Sequence, residues 1–251
     1  MDSRSLVLCF ASALLATTSA IYGWKFLKKR NFLLGFEWLI VTVSSTNALI
    51  YFATHFEISG FISHVLDAFS RGFGMPLVAV AGLMAVTRGY RPSGRQDAVL
   101  FGISIVGTVV LVSGLIAKVQ PYFYVAAWAC LTIYLTEFVR KLLAAGERLH
   151  ALTTTVAMVA SQAIACIYDF YPIPGGEHSV LLNFYVLALV TWSYMTAVLY
   201  YAYCALERAG QTHDASRFRS TRNGGNASRK CVASCDDTRQ GRPSCRRAAQ
   251  D

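Results

Sequence analysis

Charge is the first thing this chain lacks. Only 15% of its 251 residues are charged, against roughly 25% in an ordinary soluble domain. That shortage, with 55% hydrophobic residues and a mean hydropathy of +0.43, excludes a water-soluble globule. Proline is scarce too. Of six prolines, only Pro76 falls in the interior of an apolar run, so long helices go otherwise uninterrupted. Long polar connections are missing, which leaves no room for a soluble domain between the apolar runs. Seven cysteines are present, but none lies in the links facing away from the basic clusters. No disulfide framework of a secreted protein is expected.

What is there is apolar length. Seven runs, approximately 5–24, 32–54, 61–87, 97–117, 121–143, 151–171 and 179–204, each reach about the 20 residues a bilayer demands. Backbone polar groups in lipid must be satisfied internally, so each run is expected to be a helix. The first run has the length of a signal peptide, with Thr18 and Ala20 as a cleavage site. The cluster Lys25, Lys28, Lys29 and Arg30 follows at once, and cleavage would strand it outside. An uncleaved first helix is expected.

Lys and Arg set the orientation. Basic residues fill the links after the first run (Lys25 to Arg30), the third (Arg88, Arg91, Arg95) and the fifth (Arg140, Lys141, Arg148), and the tail from Arg208. The alternate links hold none but Lys118. This predicts an all-α, seven-transmembrane bundle over 1–206, N-terminus out and C-terminus in the cytoplasm. The net charge of +9 is then a topology signal, and no nucleic-acid partner is expected. The lipid bilayer is the expected partner and a bacterial inner membrane the expected location.

Residues 207–251 are polar, basic and poor in aliphatics, so a disordered tail is expected. Its Cys231, Cys235 and Cys245 match no zinc-knuckle spacing, and His213 is distant. The triplet at Asn226 faces the cytoplasm and should stay unglycosylated.

Two polar patterns stand out. One is a weak internal echo at an offset of 115. "TNAL" from Thr46 aligns with "SQAI" from Ser161, Gly60 with Gly175, Val65 and Leu66 with Val180 and Leu181, Phe69 with Phe184, and Lys25 with Arg140. It permits a 3+1+3 parallel repeat in which Asn47 and Gln162 face each other across a pathway near mid-membrane. Otherwise both amides are helix–helix hydrogen-bonding groups. The layout resembles that of the sugar-exporting seven-helix proteins and their proline–glutamine-loop relatives. Their motifs are absent here: "VQPY" replaces the Pro-Gln order, and the first, second, sixth and seventh runs lack an interior proline.

The other is "HVLDAFSRGFGMP" in the third run. His64, Asp67 and Arg71 are spaced by three and four and share one helical face. An ionisable group in mid-bilayer costs about 2.5–3.5 kcal/mol on insertion scales, so that face must meet protein or water. Gly72 and Gly74 permit close approach, and Pro76 should kink the helix. His55, Glu57, Asp169, Glu177, His178 and Asn183 gather at the same level.

Three readings stay open: a structural Asp67–Arg71 pair, an outward vestibule with Arg71 anchoring a small polar or anionic solute, or a divalent-metal site from His55, His64 and His178. The candidate ligand-binding set is His64, Asp67, Arg71, Asn47, Gln162, Asp169 and Asn183. No metal and no cofactor are expected. Glu137 should pair with Arg140 and Lys141, and Glu37, near the inner end of the second run, is a candidate step on a proton path. Trp24, Trp38, Tyr122, Tyr124, Tyr200 and Tyr203 are expected at the membrane interfaces.

Two further absences prune the functions. The seventh run has no lysine, which excludes a retinal Schiff base, and no histidine, which removes a zinc-dependent intramembrane hydrolase. Enzyme chemistry is not expected. A small-molecule or ion transporter is expected first, and a seven-helix sensor or accessory protein is the alternative.

Overall fold

The computed structural model describes residues 3–90, 93–167, 170 and 184–236. Every regular element among them is helical: α1 (Ser3–Lys28), α2 (Phe32–Thr54), α3 (Glu57–Phe69), a π-helical segment (Ser70–Ala79), α4 (Val80–Thr87), α5 (Gly94–Val112), α6 (Gln120–Ala144), α7 (Arg148–Ile167) and α8 (Phe184–Asp236). Counting α3, the π segment and α4 as one, seven helices are long and apolar enough to cross a membrane. The expected runs are all there, with ends shifted by a few residues.

The turns explain the hairpins. Asn31 caps α2 by accepting from the Leu34 N–H at 3.3 Å, while Arg30 takes a left-handed φ of 58° to close α1. Asn31 also donates to the Gly82 carbonyl at 2.8 Å and reaches the Tyr203 hydroxyl at 3.3 Å, so one buried amide joins α2, α4 and α8. His55, again left-handed, closes α2 with its N–H on the Tyr51 carbonyl. Ser93 and Gln96 form a reciprocal cap at the start of α5. Gly146, at φ 80°, ends α6 where an L side chain is strained.

Short turns place the α1–α2, α4–α5 and α6–α7 connections at one end, here the basic end. Cross-links confirm it. Lys29 pairs with Glu207, Arg88 with Glu137 at 2.8 Å, and Lys141 donates to the Thr87 carbonyl. Glu137 thus finds Arg88, which lies on another helix; Lys141 stands at 3.9 Å. The expected Arg140 partner is replaced because α4 ends beside α6.

The apolar core fills this half: Phe26, Leu34, Trp38, Leu83, Leu131, Leu135, Phe138, Leu142, Leu199 and Ala202 form one buried cluster. Gly35 lets α1 and α2 close up; a Cβ there would meet Leu27 at 2.4 Å. Three aromatics expected at the interfaces are inside instead. Trp38, Tyr124 and Tyr203 are buried, whereas Trp24 and Tyr122 are mostly exposed. Packing against neighbouring helices overrides the general preference of these rings for the interface.

One difference from expectation follows from backbone chemistry. Pro76 does not simply kink a helix. The hydrogen-bond ladder is widened over the ten residues Ser70–Ala79, as a missing N–H in mid-helix invites. The last helix, α8, runs on past Glu207 to Asp236. The chain divides into two units, Met1–Glu207 and Arg208–Asp251.

Candidate functional site

Away from the basic end the same helices part around a cavity of about 510 Å³. Its wall takes residues from α1, α2, α3, the π segment, α6 and α8. Trp38, Met75, Trp128 and Met195 belong both to this wall and to the apolar cluster. The floor of the cavity is therefore the top of the packed core.

One wall is the α3 face read from the sequence. His64 is exposed, Asp67 half-buried and Arg71 buried, so the three descend from mouth to interior. The Arg71 guanidinium lies 3.5 Å from the Asp67 carboxylate and 4.2 Å from the centre of the Tyr124 ring. Charge pairing and a ring face together offset the loss of water around a buried cation. Ser44 lies opposite, donating to the Ser63 carbonyl at 3.1 Å.

The floor is rich in donors. The indole N–H groups of Trp38 and Trp192 and the Ser70 hydroxyl are buried with no hydrogen-bond partner, and all three residues line the cavity. Trp192 is held by stacking on Trp128 at 6.4 Å. Buried donors are nearly always satisfied, so the two indole N–H groups are exceptions beside the cavity. Sequence reasoning missed the two indoles. Trp38 was read as an interface residue, and an isolated Trp192 carries no motif.

The other candidates are elsewhere. Asn47 donates to the Val43 carbonyl of its own helix at 2.8 Å. Gln162 accepts from Thr132 at 2.8 Å and so bridges α7 to α6. Neither is among the residues lining the cavity, so the structure does not place them across a common pathway. Asp169, Asn183, Glu177 and His178 lie outside the described residues. Among the described residues no group of three or more His, Cys, Asp or Glu side chains gathers as a metal ion needs.

Glu37 was expected near the end of α2, and it is in fact fully buried there, pressed against the π segment. A Cβ on Gly74 would stand 2.2 Å from both Glu37 carboxyl oxygens. The other glycine of the segment packs against a different helix: a Cβ on Gly72 would meet Leu111 at 2.8 Å.

No protein-family model, curated protein or solved structure matches this chain.

Proposed function

We propose that the protein is a multi-pass membrane transporter of a small polar or anionic solute, which enters the cavity from the end opposite the basic turns. The observation that carries this reading is the cavity itself, with the buried Arg71 in its wall beside Trp38 and Trp192. A solute with carboxylate, phosphate or hydroxyl oxygens suits the Arg71 cation in that wall. The ten-residue π segment supplies a second support. A widened ladder in mid-helix holds its shape less firmly than an α-helix, and a transporter needs a wall that moves.

The basic end faces the cytoplasm in this proposal, with the N-terminus outside and the cavity open outward. Lys28, Lys29, Arg30, Arg88, Arg95 and Arg148 stand at or beside that end. A bacterial inner membrane is the proposed location, and no chemistry on the solute is proposed. A 3+1+3 arrangement makes α5 the linker. In support, its apolar window is the least buried of the seven, at 17%.

The test is solute uptake into proteoliposomes, screened over small organic and inorganic anions, with Arg71→Ala as the diagnostic variant. Transport predicts flux in the native chain and its loss in Arg71→Ala at unchanged expression. Loss of expression instead assigns Arg71 to the Asp67 pair alone. Binding without flux in any condition favours the sensor reading.

A further inference from the structure

The Glu37 carboxyl has no task in the cavity, yet the fold is shaped around it. Both of its oxygens are buried without a hydrogen-bond partner. Ser70 is the one polar side chain facing it, and its hydroxyl is a donor within reach of the carboxyl once the geometry tightens. A carboxylate in that position is a buried charge with no cation beside it, whereas a protonated carboxyl group is neutral.

The charged groups on the neighbouring elements are occupied elsewhere. On α1, Lys25 lies over the Tyr22 and Tyr200 rings and Lys28 over Trp24. On α3, Glu57, His64 and Asp67 line the cavity, and Arg71 on the π segment is paired with Asp67. The α4 stretch Val80–Thr87 carries no charged residue, and Glu37 is the only one on α2.

Ser70 belongs to both places. It lines the cavity and faces Glu37, and it is the first residue of the π segment. Gly74, one turn on, gives the carboxyl its space. Pro76 has no N–H for the ladder, so the backbone beside the carboxyl is short of one bond. Ser70 and Met75 of this segment line the cavity, and Gly74 between them packs against the Glu37 carboxyl.

We propose that Glu37 is a proton-binding site beneath the cavity floor, and that exchange of its proton with cavity water opens and closes the floor along Ser70–Ala79. With the floor shut, the carboxyl keeps its proton. When the π segment swings away, water enters, the carboxyl O–H bond breaks, the proton leaves on a water molecule, and a hydrated carboxylate remains. This rests on the transport reading above and names its coupling ion as the proton.

Two measurements on the full chain in liposomes test it. The first is infrared spectroscopy across a pH series, following the carbonyl stretch of a protonated carboxylic acid. The native chain should show this band at neutral pH. Glu37→Gln should remove it, Glu57→Gln should retain it, and Gly74→Ala, which pushes a methyl group into the carboxyl, should displace it. The second is labelling of Ser63→Cys in the cavity wall by a membrane-impermeant maleimide, with the native chain as background. The ratio of labelling rates between the Glu37 chain and its Glu37→Gln version should rise with pH over the range in which the band disappears. A band that survives Glu37→Gln, or a ratio flat in pH, overturns the proton site and leaves the cavity standing. No labelling of Ser63→Cys at any pH overturns the open cavity, and the gate with it.

Discussion

The two ends of the bundle are made by the same helices and solve opposite problems. At the basic end, α1, α2, α4, α6 and α8 close on Phe26, Leu83, Phe138 and Leu199, and the turns are tied by Asn31, the Lys29–Glu207 pair and the Lys141 link to Thr87. At the other end α1, α2, α3, α6 and α8 leave about 510 Å³ open, and polar groups are left without partners. The difference teaches where rigidity is needed. Lipid supplies no hydrophobic drive between helices, so dispersion and internal hydrogen bonds must fix their positions. Here those are concentrated at one end, which leaves the other end free to hold a cavity and a π-helical wall.

The comparison breaks most visibly in the packed end. Phe138→Ala removes a fully buried ring and should destabilise by about 3–5 kcal/mol. Val41→Ala, in the cavity wall, only enlarges an existing space and should cost under about 1 kcal/mol. Reversible unfolding in mixed detergent micelles reads both, and equal losses would dissolve the contrast between the ends.

Asn31→Ala comes next. It deletes a cap and leaves the Gly82 carbonyl unpaired, for an expected loss of about 1–2 kcal/mol. Asn31→Asp should keep the cap and lose the donor bond, recovering only part of the stability.

The smallest effect belongs to the rim. Burial lowers the Lys29 ammonium pKa, but the hydrogen bond with Glu207 and the nearby charges outweigh burial, and the net shift is upward. A raised folded value means the pair stabilises below the ordinary lysine range and fades as pH climbs through the raised one. Lys29→Met should therefore cost under about 1 kcal/mol at neutral pH and nothing in strong alkali, where both chains should unfold alike.

Much of the fold was legible beforehand for a simple reason. In a bilayer the length of an apolar run and the placement of charge are nearly the whole constraint, and all seven helices follow from them. The Asp67–Arg71 pair was legible because its partners are four residues apart on one helix. Glu137 was not, because Arg88 comes from a helix whose position beside α6 depends on packing. For Asn47 and Gln162, the pattern in sequence could not say which surface their helices turn inward. The structure spends one amide on its own backbone and the other on Thr132.

By itself, then, the sequence determined seven apolar rods, basic residues at alternate turns, and one helix that had to keep His64, Asp67 and Arg71 away from lipid. Only the tertiary structure decided that this face borders a cavity, that the indoles of Trp38 and Trp192 end up in its floor, and that Glu37 lies sealed against Gly74. Local spacing fixes which residues share a helix face, because the helix repeat is set by the backbone. Which faces meet, and what space they leave, depends on side chains from distant segments fitting together, and no local pattern encodes that.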